Sequence, residues 1–108
     1  MKHHYPVVTL CGSSKFKDEF IKASEVLSLR GYLVISLGLF GHADKKYDSV
    51  ITEDIKIMLD EVHKQKIDMS DFIYVINKDD YIGKSTANEI AYAKSLGKDV
   101  VYMFPHAE

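Results

Sequence analysis

Glu89 stands where a carboxylate is best placed to do chemistry in this sequence. It follows an apolar run, Asp71-Phe-Ile-Tyr-Val-Ile-Asn77, and a polar loop containing Gly83, and it lies near the start of a helical pattern that carries Ser85 and Thr86. That order reads as strand, loop, helix. In an open parallel α/β sheet, the loops after the carboxyl ends of strands form the binding crevice, and helix amino termini offer unpaired N–H groups to anions. A carboxylate in that position can attack the anomeric carbon of an N-glycoside or stabilise its oxocarbenium-like transition state. A glutamate early in a helix also stabilises the helix dipole, so a purely structural role stands beside the chemical one.

Breaking an N-glycosidic bond needs a proton carrier within reach of the departing base or of water. Asp60, His63, Asp68 and Asp71 are candidates, and spacing does not choose among them. His63 also suits a helix face and Asp71 a helix-to-strand turn. Gly12-Ser13-Ser14 falls where the first strand meets its helix; glycine permits close backbone approach, and hydroxyls with helix N–H groups can hold a phosphate or sugar oxygen. Lys15 would neutralise such a phosphate. Gly83-Lys84-Ser85-Thr86 enters an anion-friendly helix end, with capping as the structural role for Ser85 or Thr86. Neither glycine segment has the G-x-G-x-x-G or G-x-x-x-x-G-K-[ST] order, so neither dinucleotide nor triphosphate is specified. Phe40, His42 and Tyr47 are placed to flank a planar ligand. No zinc spacing occurs, and His3, His4 and His106 lie at the termini, so neither a metal nor a cofactor is expected.

The elements that must hold these residues follow from the pattern. Pro6–Cys11 is a short buried strand stopped by Gly12, and Phe16, Phe20, Ala23 and Leu27 recur at helical spacing from Lys15 to Arg30, with Ser14 as the cap. Gly31 ends that helix and Tyr32–Ser36 is the second strand. Residues 37–48 are too irregular for an element and read as a loop over the crevice. Ser49–Met69 is a long amphipathic helix starting near Ser49 or Thr52, Asp71–Ile76 the third strand, Ser85–Leu96 a helix capped by Gly97, and Asp99–Phe104 the fourth strand. Right-handed crossovers place helices on both faces of a parallel sheet. The expected fold is α/β, a small flavodoxin-like or Rossmann-like three-layer sandwich with four or five parallel strands.

The 108 residues suit a single domain, 1–108, and a 46% hydrophobic fraction suits a packed core. A formal charge of -2 is no footprint for a nucleic-acid polymer. One cysteine, Cys11, sits in an apolar run and reads mainly as core, which fits a reducing compartment. No stretch reaches membrane-spanning length and no signal-peptide pattern opens the chain, so a cytoplasmic protein without membrane association is expected.

Tyr81-Ile-Gly-Lys-Ser-Thr-Ala-Asn-Glu-Ile-Ala-Tyr-Ala-Lys-Ser-Leu-Gly-Lys98, taken with the third strand before it, resembles the nucleoside 2-deoxyribosyltransferase superfamily, including the deoxynucleoside 5′-monophosphate N-glycosidases. The resemblance in element order spans nearly the whole chain. It implies that Glu89 is the nucleophile carrying the deoxyribosyl group, that Gly12, Ser13 and Ser14 approach the sugar or its 5′ end, that the ligand is a nucleoside or nucleotide, and that the protein is a homodimer. In that family an aspartate upstream of the third strand assists catalysis; here His63 stands at or beside that position. Cys11-Gly-Ser-Ser14 and Gly83-x-x-Thr86-x-x-Glu89 also look like pieces of the cytokinin-activating phosphoribohydrolases, without their Pro-Gly-Gly-x-Gly-Thr run. Two functions stay open: N-glycoside hydrolysis or deoxyribosyl transfer, and a catalytically silent nucleotide-binding or sensing domain.

Overall fold

The computed structural model describes residues 4–40 and 46–107. Four parallel strands, β1 (Val7–Gly12), β2 (Leu33–Ile35), β3 (Phe72–Ile76) and β4 (Asp99–Tyr102), form one sheet in the order β2-β1-β3-β4. Three helices connect them: α1 (Lys17–Leu29), α2 (Glu53–Asp68) and α3 (Lys84–Ser95). The architecture is the expected Rossmann/flavodoxin-like sandwich.

Strand alternation divides the core in two. Val8 and Leu10 of β1 and Ile76 of β3 pack with Phe16, Phe20, Ala23 and Leu27 on the α1 side. Cys11, Ile73 and Val75 turn the other way, onto Ile67 of α2 and Ile90 and Ala93 of α3. Phe20, Leu10, Ile67 and Ile73 are fully buried, and each such side chain stabilises the fold by about 1.5–3 kcal/mol relative to exposure.

Helix ends follow their sequence signals, with two corrections. Of the two starts expected for α2, Thr52 is the one used, capping the helix by accepting from Ile55 N. The α1 segment opens with a short 3-10 turn, Ser14–Phe16, whose cap position is Ser13, its hydroxyl accepting from Lys15 N, and Phe16 holds the cap position of α1 itself. Helix α3 begins at Lys84 with Gly83 as its cap, so Ser85 and Thr86 lie inside the helix and do not cap it. Gly31 and Gly97 have φ values of 89° and 72°, the left-handed conformation in which glycine ends helices at little cost. In each case the next residue reaches back: Tyr32 N donates to Leu27 O and Lys98 N to Ala93 O.

Two further ties set α2 and α3 against the sheet. Buried Thr9 on β1 donates to Lys66 O and shares a hydrogen bond with Ser70 Oγ, fixing the last turn of α2 over β1. The Lys98 ammonium donates to Ile67 O and Asp68 O, placing a cation on the negative end of the α2 dipole.

Candidate functional site

The strand order creates the crevice. β1 leads to α1 on one face and β3 leads to α3 on the other, so the chain diverges where the two central strands end. Those ends lie level, because Gly12 pairs with Ile76 in the register. A Cβ at Gly12 would stand 2.9 Å from Ile76 O, so glycine is what lets β1 run this close beside β3 before turning away.

A crevice of about 640 Å³ opens there, within the range of small-molecule sites. Gly12, Ser13 and Ser14 line one side, and Gly83, Ser85, Thr86 and Glu89 another. His63 of α2 and Tyr81 also line it. Since Gly83 has no side chain to cap α3, the first-turn N–H groups of that helix face a site suited to an anion. A second depression of about 450 Å³ lies between α2 and α3, with Asp60, Ser85 and Glu89 lining both.

At the crevice wall three side chains from three separate elements meet. His63 Nε2 stands 3.3 Å from Glu89 Oε2 and 3.6 Å from Cys11 Sγ. The side chains of His63 and Glu89 are 11% and 21% exposed, so their interaction is screened less than that of a surface pair. Burial pushes the Cys11 thiol well above its usual range; the charge of Glu89 and a hydrogen bond to it add to the rise, and Lys66 partly opposes it. The thiol is therefore neutral at physiological pH. Lys66 itself is anchored, donating to Ser36 O at 3.0 Å.

The expected site residues are only partly brought together. Gly12, Ser13, Ser14, His63, Gly83, Ser85, Thr86 and Glu89 are brought together. Asp71 and Phe40 lie apart from them. Asp71 precedes β3, at the amino ends of the strands, where its carboxylate accepts from Val7 N at 2.7 Å; its observed work is to tie β3 to β1. Phe40 packs edge-on against Phe20, their ring centroids 5.3 Å apart, and belongs to the α1-side core. Lys15 does not line the crevice, but its ammonium lies 3.5 Å from the centroid of the Tyr81 ring, which does. His42 lies outside the described residues. Of the other acid/base candidates, Asp60 lines the crevice, whereas Asp68 accepts from the Tyr92 hydroxyl.

Cys11 and the cations Lys56 and Lys66 are site residues that the sequence reading missed. Alternation offered a signal for the first, because it puts Cys11 on the same strand face as the polar Thr9. Helical spacing likewise groups Thr86, Glu89, Ile90 and Ala93 on one face of α3. Compared with known proteins, the chain matches no family model and no curated relative.

Proposed function

We propose that the protein cleaves, or transfers the sugar across, the N-glycosidic bond of a nucleoside or nucleoside 5′-monophosphate, with Glu89 as nucleophile. The observation that carries this reading is the half-enclosed Glu89 carboxylate at the crevice wall, in contact with the His63 imidazole. In this mechanism a Glu89 oxygen forms a bond to C1′ as the C1′–N bond breaks. The departing base takes up a proton, and water or a second base then displaces the carboxylate from C1′. His63 positions the carboxylate and is the imidazole available to move a proton beside it. The hydroxyls of Ser13 and Ser14, the amino end of α3, and Lys56 and Lys84 suit a 5′-phosphate or sugar oxygens.

A second reading, nucleotide binding without turnover, has its own support: His63 stands at or beside the position where the resembled enzymes carry an aspartate. Base release from a panel of ribo- and deoxyribonucleosides and their 5′-monophosphates separates the two. The expected result is release from at least one substrate, reduced at least about a thousandfold in Glu89→Gln, with a sugar adduct on the intact chain by mass spectrometry. Tight binding with no release from any substrate would leave only the silent domain.

A further inference from the structure

We propose that Cys11, His63 and Glu89 form a binding site for a zinc-like divalent transition-metal ion. Among the described residues, the thiol of β1, the imidazole of α2 and the carboxylate of α3 bring one ligand atom each to within 4.8 Å of one another. Their types are the zinc set of sulfur, nitrogen and oxygen, not the all-oxygen set that calcium and magnesium take.

Two of the three ligand separations fit an ion, and the facing of the ring nitrogen separates an ion site from a proton relay. A tetrahedral ion at about 2.3 Å from sulfur and about 2.0–2.1 Å from nitrogen and oxygen needs adjacent ligand atoms about 3.3–3.6 Å apart. The sulfur–nitrogen and nitrogen–oxygen separations are 3.6 and 3.3 Å. A thiol–imidazole–carboxylate relay uses the two ring nitrogens separately, one toward each neighbour. Here a single nitrogen, Nε2, faces both the sulfur and the carboxylate. That nitrogen carries at most one proton, whereas an ion at the shared point engages all three groups together, the Cys11 thiol giving up its proton to solvent as the sulfur–metal bond forms. The cation that acts on Cys11, Lys66, is bonded to Ser36 O. Three protein ligands leave a fourth position, and the crevice that His63 and Glu89 line gives water or a ligand access to it.

The three ligands come from positions 11, 63 and 89, so no short spacing motif announces the site. An ion held by Glu89 also withholds that carboxylate from a sugar; this consequence, unlike the binding itself, rests on the proposed N-glycosidase activity.

Titration of the full chain with cobalt(II) tests the site without any substrate. The expected spectrum shows intense visible bands of a tetrahedral ion and a near-ultraviolet thiolate-to-metal band, saturating at one ion per chain and lost when zinc(II) is added. Cys11→Ser, close in size to the native residue, is expected to abolish the thiolate band and weaken binding at least about tenfold. Glu89→Gln, at a partly exposed position, is expected to weaken binding similarly, while His106→Ala leaves it unchanged. A six-coordinate cobalt spectrum only, spectra that survive both Cys11→Ser and Glu89→Gln, or binding lost in His106→Ala would each overturn the assignment.

Discussion

At the scale of single residues, Cys11 has a consequence that can be read without knowing any substrate. Its thiol is held above the ordinary range by burial first and by Glu89 second. In the unfolded chain the thiol ionises near the usual value of about 8.5, whereas in the folded chain it stays protonated. The unfolded state therefore binds fewer protons above that pH, and the contribution of Cys11 to stability is complete below it and is lost as pH rises through the folded value. Tyr74 and Tyr92, also raised, act in the same direction from about pH 10. Denaturant unfolding between pH 8 and 10 is expected to show falling stability in the native chain and a flatter profile in Cys11→Ser. Equal slopes in the two proteins would remove Cys11 from the account.

At the scale of elements, the alternation of strands and helices was legible because each carries its own signal. Apolar runs are stopped by Gly12 and Asn77, helical spacing recurs from Phe16 to Leu27, and Gly31 and Gly97 end their helices. Boundaries stayed open or shifted where several hydroxyls competed, as Thr52 did with Ser49 and Ser13 with Ser14. What the sequence could not supply was contact between distant segments. Cys11 looked like core because burial and ligation both favour a cysteine in an apolar strand, and only the packing of α2 and α3 over β1 reveals its neighbours. Asp71 was misplaced for a related reason: it lies beside a strand, but at the end away from the crevice. Asn77 shows how much a strand-end residue can do without touching a ligand. Fully buried, it donates to Phe104 O and accepts from Phe104 N, holding the segment after β4 against the end of β3. Asn77→Ala is expected to destabilise the protein by about 1–3 kcal/mol through those lost partners, measured as a shift in the urea midpoint. An unchanged midpoint would mean that the Phe104 clamp contributes nothing.

At the scale of the whole molecule, the order β2-β1-β3-β4 places the candidate site on the central pair of strands and leaves the other two as edges. No helix among the described residues is long and apolar enough to cross a membrane. The crevice opens at the end of β1, where Gly12 lines it, and takes one flank from residues 37–39, which follow the three-residue edge strand β2. Among the described residues the edge strands are ladder-bonded on one side only, so their amides are expected to exchange with solvent through partial openings, whereas those between β1 and β3 wait for global unfolding. Native-state hydrogen exchange read residue by residue would show slow Val75, on the β3 side of the central pair, and faster Leu33, whose N–H donates to Pro6 O at the β2 edge; equal rates across the sheet would count against it. The 37–39 flank of the crevice would then lift on a clock independent of the stability of the central strands.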